Sequence, residues 1–281
     1  MTTYRNIHGR SIQAVTTDPT ESVAEGQVWY NTTSDTFKSV IASEAFSSSA
    51  PLATGRAQGS GAGTQTAALF VVGRIGPPGD TTACENYNGT GWSSIPSLNT
   101  ARQYAGGCGT ETSALTYGDY PATTTTEEFN GSAWSAQEGF STARRSGASF
   151  GIETAALVTG GEVSGGAKQS ATEEYNGSSW TGGGSLITAT GDYIGGWGTQ
   201  TDGVVVGGGA PGYVTTTLGY DGTTWATRPN AANAAGRTQT AGANGTAGLR
   251  AGGGPSTTQR DGSEEFTGET ETVNITDFTT S

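Results

Sequence analysis

Apolar positions come in short bursts along this chain. Runs such as Ala67 to Val72, Ala155 to Thr159 and Val204 to Val206 are closed by glycine within a few residues. That length suits buried β-strands and is too short for helices, and no stretch carries the 3.6-residue stripe of an amphipathic helix. Between these bursts lies a second pattern, an aromatic, an Asn-Gly or Asp-Gly step, and a tryptophan. It reads ENYNGTGW ending at Trp92, EEFNGSAW at Trp134, EEYNGSSW at Trp180 and LGYDGTTW at Trp225. Asn-Gly and Asp-Gly supply the positive backbone angles of a tight turn, so each phrase predicts a β-hairpin.

The tryptophans are spaced by 42, 46 and 45 residues, and a degenerate fifth copy, EEFTGETETV, begins at Glu264 with Phe266 as its aromatic and Val273 in place of tryptophan. A core phrase precedes each hairpin, starting at Arg56, Arg102, Arg145, Gly191 and Arg237. Each repeat therefore has two halves with room for two strands apiece. Four-stranded units of about 45 residues are the size of propeller blades. The repeat also changes how composition is read. With 47 Gly, a net charge of −12 and few large aliphatics, the chain would otherwise pass for disordered. In a propeller, glycine and alanine let inner strands converge, and aromatics fill the widening gaps farther out.

A strand ending in Gly-Gly, then an extended segment with Tyr and a Trp shortly after, resembles the kelch repeat, carried here by Gly160-Gly161, Tyr175 and Trp180. The second unit, with TYGDY, lacks the glycine pair, and the last lacks the tryptophan. The resemblance implies an all-β, five-bladed kelch-like propeller of four-stranded blades over residues 51–281, with blades near 54–98, 99–140, 141–186, 187–232 and 233–281. Its repeat aromatics are Tyr87, Trp92, Phe129, Trp134, Tyr175, Trp180, Tyr220, Trp225 and Phe266.

Residues 1–50 are unlike any blade. QVWYNTTSDTFKSV, residues 27–40, reads as a further aromatic hairpin, expected as a separate element rather than as a closing strand of the propeller. The longer segment DPTESVAEGQVWYNTTSDTFKSV resembles a short module near the start of structural proteins of tailed bacteriophages, those of marine bacteria above all. That resemblance implies virion localisation and attachment to other virion proteins through Trp29, Tyr30 and Phe37. The propeller would then be displayed toward a host-surface glycan or protein, with the chain oligomeric on the particle.

Candidate chemistry narrows the alternatives. His8 is the single histidine and precedes the propeller, which argues against a metal site or a Ser-His-Asp triad. Glu127-Glu128, Glu173-Glu174 and Glu264-Glu265 recur, and glycoside hydrolysis needs only two carboxylates. Adjacent strand residues point to opposite faces, however, so each pair has a place in the blade rather than a shared active site. Arg56, Arg102, Arg144 and Arg237 also recur, with Gly191 breaking the series. They would either ring one face to grip acidic sugars or, as four like charges favour, each pair with a blade glutamate or cap backbone carbonyls.

Cys84 and Cys108 would form one inter-blade bridge or, as preferred, remain two buried thiols. The glycine clusters VGGGAPGY and AGGGP lack the Lys-Ser/Thr ending of a phosphate loop. No long apolar run predicts a membrane span. The acidic balance disfavours nucleic acid. The expectation is a non-enzymatic virion structural protein, a tail, head or neck fibre component, without cofactor or metal. Two alternatives remain: a lectin-like propeller using Trp197 and Tyr213, and a carboxylate hydrolase. The loops joining second to third strands, at 73–83, 118–126, 160–171, 207–216 and 252–263, are expected to share one face and form the contact surface.

Overall fold

The computed structural model describes residues 13–16, 28–39, 49–76, 79–191, 193–209, 212–254 and 263–268. The chain divides into two compact units, 1–49 and 50–281. The first holds β1 (Gln13–Val15), β2 (Val28–Asn31) and β3 (Thr36–Ser39) in their own three-stranded sheet, β1 parallel and β3 antiparallel to β2. Tyr30 stands opposite Phe37 in the hairpin register, and its hydroxyl bonds Asp35. The side chains of Trp29 and Phe37, and all of His8, lie outside the described residues.

The second unit is a five-bladed β-propeller of antiparallel meanders. Blade 1 is β4 (Ser60–Thr64), β5 (Ala67–Val71), β6 (Cys84–Tyr87) and β7 (Trp92–Ile95). Blade 2 is β8 (Gly106–Gly109), β9 (Ala114–Tyr117), β10 (Thr126–Phe129) and β11 (Trp134–Gln137). Blade 3 is β12 (Ala148–Ile152), β13 (Ala155–Thr159), β14 (Thr172–Tyr175) and β15 (Trp180–Gly182). Blade 4 is β16 (Gly195–Thr199), β17 (Asp202–Val206), β18 (Thr217–Tyr220) and β19 (Trp225–Arg228). Blade 5 shows β20 (Gln239–Asn244), β21 (Ala247–Ala251) and β22 (Ser263–Thr267) among the described residues, and Val273 lies beyond them. Inner strands pack in sequence order, β4 on β8, β8 on β12, β12 on β16 and β16 on β20.

The hairpin between the third and fourth strands departs from the two-residue turn expected of Asn-Gly. Tyr175 pairs directly with Trp180, leaving a four-residue loop. Only the glycine takes positive φ, +90° at Gly177, while Asn176 Oδ1 accepts from the N–H groups of Ser178 and Ser179. The same cap recurs at Asn88, Asn130 and Asp221, so the asparagine is used as an acceptor rather than for a left-handed backbone.

Closing each loop, the two aromatics face each other across the strands. Ring centroids lie 5.1 Å apart for Tyr87–Trp92, 5.0 Å for Phe129–Trp134, 5.0 Å for Tyr175–Trp180 and 4.8 Å for Tyr220–Trp225. The tryptophan also reaches the preceding blade. Trp180 packs edge-on against Tyr117 and Phe140, and its Nε1 donates to Thr126 Oγ1 at 3.1 Å. Trp225 Nε1 donates to Thr172 Oγ1 at 2.9 Å. A buried indole N–H thus finds a hydroxyl at the first position of the neighbour's third strand.

Blade 1 has Cys84 at that first position, and Trp134 Nε1 of blade 2 is buried with no hydrogen-bond partner. Both residues belong to the same core cluster. Cys84 and Cys108 are free and buried, and burial pushes their thiols up to about 11 and about 12. We expect Cys84→Thr to supply the missing acceptor and stabilise the propeller by about 1 kcal/mol, the worth of one internal hydrogen bond. A urea unfolding midpoint that stays level or falls would reject that account.

Candidate functional site

Five glycine-rich inner strands come close enough to leave a single axial cleft of about 640 Å³, lined by residues of every blade. The segment leading into each inner strand passes through one left-handed residue: Gln58 (φ 62°), Tyr104 (55°), Ser146 (56°), Tyr193 (65°) and Arg237 (59°). Non-glycine residues adopt this region at a cost, and its recurrence in every blade makes it a property of the scaffold. Backbone bonds link neighbouring turns, from Tyr104 N–H to Gln58 C=O at 2.9 Å and from Arg237 N–H to Tyr193 C=O at 3.1 Å. The backbone repeats while the side chains do not. Glutamine, tyrosine, serine, tyrosine and arginine all line the cleft.

Four of these residues also border a second recess of about 300 Å³ at the mouth, together with Arg74, Gln103, Tyr120, Arg145 and Glu162. Tyr104 meets Tyr193 edge-on across the axis at 5.5 Å and Tyr120 at 6.0 Å. Arg237 stacks over the Tyr193 ring at 4.8 Å and Arg145 over Tyr120 at 4.6 Å. Gln58 Nε2 donates to the Tyr104 hydroxyl at 2.5 Å. Beneath Tyr120, buried Asp119 accepts from the N–H groups of Gln103 and Tyr120, while burial pushes its carboxyl above the ordinary range. Arg145 and Lys168 share the Glu162 carboxylate. Arg74, Tyr120, Glu162 and Lys168 come from loops 73–83, 118–126 and 160–171, so three of the predicted contact loops converge on this mouth. Most of the fifth loop, at 252–263, lies outside the described residues.

The recurrent arginines and glutamates have another role. Arg56, Arg102 and Arg144 pair with Glu85, Glu127 and Glu173, every side chain at most 4% exposed. The other carboxylate oxygen in each pair accepts a backbone N–H, from Ala53, Asn99 or Ser141, tying the segment that enters a blade to its third strand. Arg237 does not continue this series, since it is offset by two residues. In blade 5 Arg250, directly opposite Glu264 in the strand register, supplies the cation. Blade 4 has Gly191 and Leu218 instead, losing both charges together.

The second glutamate of two doublets joins blades. Glu128 accepts from Tyr175 OH of the next blade at 2.5 Å and Glu174 from Tyr220 OH at 2.6 Å. Where the next blade offers phenylalanine instead, at Phe129 and Phe266, the facing residue is Asn86 or Gly219.

Trp197 is no surface contact: it is 3% exposed, packed against Phe266 at 5.7 Å and seated on Gly242 and Gly248 of blade 5, where any Cβ would strike the indole. Its sequence signal was that glycine pair, one repeat on. Tyr213 is half-buried in the blade 4 loop and does not line the mouth. Of the residues that do, Arg237 was among the recurrent arginines considered for a sugar-gripping ring, whereas Tyr104, Tyr120, Tyr193 and Arg145 were missed because they differ in type from blade to blade. For Tyr104, Tyr193 and Arg237 the signal was positional, two residues after the arginine or after the Gly191 and Ala235 that replace it.

No protein-family model matches the chain, and no curated protein matches it. Among solved structures it is similar to that of YjhT, with a TM-score of 0.61 at 13% identity, covering 74% of this chain and 80% of that one. At that identity the likeness concerns the fold.

The buried pairs set a pH response. Burial alone would raise the carboxyls of Glu85 and Glu264, but the Ala53 N–H and Arg56 for the first, and Asn233, Ala232 and Arg250 for the second, outweigh it and hold both below the ordinary range. A depressed folded pKa contributes stability above the unfolded value, about 4.3, and loses it as pH falls through the folded value. Asp119 and Glu128, whose carboxyls burial raises, run the other way. We expect Glu85→Gln to lower the melting temperature at pH 7 and to flatten its decline below about pH 4 relative to the native chain. Parallel acid limbs in the two proteins would refute this.

Proposed function

We propose that this chain is a non-enzymatic virion structural protein of a tailed bacteriophage, a tail, head or neck fibre component. In this reading it docks on other virion proteins through residues 1–50 and presents the propeller to the host surface. The observation that carries the reading is the division of labour in the propeller. Nearly every recurrent residue is committed to holding blades together, whereas variable side chains and three inter-strand loops gather at one mouth. Rigid scaffolds that place diverse loop residues on one face are suited to contact. The commitment of Glu85, Glu127, Glu173 and Glu264 to cations, and of Glu128 and Glu174 to tyrosines, speaks against a carboxylate hydrolase built from these residues.

A second reading, a glycan-binding propeller in its own right, is favoured by three tyrosines and stacked arginines around a recess with room for one sugar ring. Immunogold labelling of intact particles with antibody to the full chain separates the two. Discrete labelling at one particle location, lost when Trp29 and Phe37 are both changed to Ser, is the expected result. Unlabelled particles, together with glycan capture by the purified protein, would replace the virion reading with the lectin.

A further inference from the structure

In this acidic chain, most propeller cations in the described residues are matched to a carboxylate. Arg56, Arg102, Arg144 and Arg250 each have a buried or half-buried glutamate, and Arg145 and Lys168 divide Glu162 between them. Arg74 and Arg237 are different. Both are exposed, both line the mouth recess, and among the described residues neither meets a carboxylate. Arg237 is held by its stack over Tyr193 in a turn whose backbone is dictated by the repeat, so its guanidinium is placed without being neutralised. Arg228, in the outer strand β19, also lacks a carboxylate among the described residues, but Arg74 and Arg237 are the two surplus cations that line one recess, beside tyrosine rings, on a protein of net charge −12.

We propose that this recess binds a carboxylate-bearing sugar unit, a uronate within a host-surface polysaccharide. Its carboxylate is taken by Arg237 and Arg74, and its ring lies against Tyr193 and Tyr120. Guanidinium groups form forked, charge-assisted bonds to planar carboxylates. Tyrosines offer an apolar face with a polar edge, which matches a pyranose. The 300 Å³ volume admits one ring rather than a folded peptide. The overall negative charge selects for the same ligand. A densely charged polyanion such as nucleic acid is repelled over its whole length, whereas one carboxylate per sugar feels chiefly the charges of the recess, where Arg74 and Arg237 stand beside the Arg145–Glu162 ion pair and leave a positive balance, within a Debye length of about 8 Å.

The assignment rests on reading the loop face as the contact surface, and the test keeps the two apart. Binding of the full-length protein to tetragalacturonate and to its methyl ester, which keeps the ring and removes the charge, is measured by calorimetry at 50 mM and 500 mM salt. The acid is expected to bind at least tenfold more tightly than the ester, and less tightly at high salt. Arg237→Gln and Arg74→Gln should each weaken it about tenfold, the loss of one charge-assisted bond, without moving the melting temperature. Glutamine is accommodated in this turn, as Gln58 occupies it in blade 1. Equal binding of acid and ester that is insensitive to Arg237→Gln but abolished by Tyr193→Ser would overturn the carboxylate assignment and leave the face as a contact surface. Binding of neither form, and of no other uronate-containing glycan, would overturn the carboxylate assignment, while the contact-surface reading stands or falls by the particle labelling.

Discussion

A buried carboxylate at the second position of the third strand organises the blade. Glu85, Glu127 and Glu173 each bind an arginine with one oxygen and a backbone N–H of the entering segment with the other, so a single side chain joins the start of a blade to its middle. Isolated, either charge would be costly to bury; paired, with both carboxylate oxygens hydrogen-bonded, it costs less and fixes register, although the Nε of Arg56 and of Arg102 has no partner. The exception follows the same rule. Blade 4 has neither member, with Gly191 and Leu218 in their places, because a lone survivor would be a buried unpaired charge.

Contacts between blades are built on the same economy of apolar volume. With few aliphatics available, the blades are joined by aromatic packing whose polar ends are satisfied across the seam, Tyr175 to Glu128, Tyr220 to Glu174, Trp180 to Thr126 and Trp225 to Thr172. Side chains at these seams co-vary by physical necessity: a carboxylate is present where the next blade has a hydroxyl and absent where it has phenylalanine. The matching lapses at Trp134, whose facing residue is Cys84, and also at Tyr117 OH and Trp197 Nε1, which are buried without a hydrogen-bond partner.

The mouth obeys a different logic. Its backbone is as regular as the rest, five left-handed turns in register, yet its side chains follow no repeat. Tyr104, Tyr193 and Arg237 contribute to no core cluster, so packing does not dictate their identity. Regular framework and irregular display together suit the contact role proposed above.

The sequence by itself determined the blade number, the strand pattern and the aromatic hairpins, because each is written in residues whose local chemistry demands it: Asn-Gly for the loop, short glycine-closed apolar runs for the second strand of a blade, and Tyr or Phe with Trp at a repeat of about 45 residues. It also favoured pairing over display for the recurrent arginines, through the repulsion that unpartnered like charges would suffer. Only the tertiary structure decided which partner each charge took, that Arg250 rather than Arg237 completes the series, and that Trp197 is buried on glycines of the next blade. Those outcomes depend on contacts between residues a repeat apart, where one-dimensional spacing does not say which face meets which. The mouth was the least legible feature for the same reason: Gln58, Tyr104, Ser146, Tyr193 and Arg237 share nothing but a backbone angle, and only closure of the inner strands around an axis brings them together.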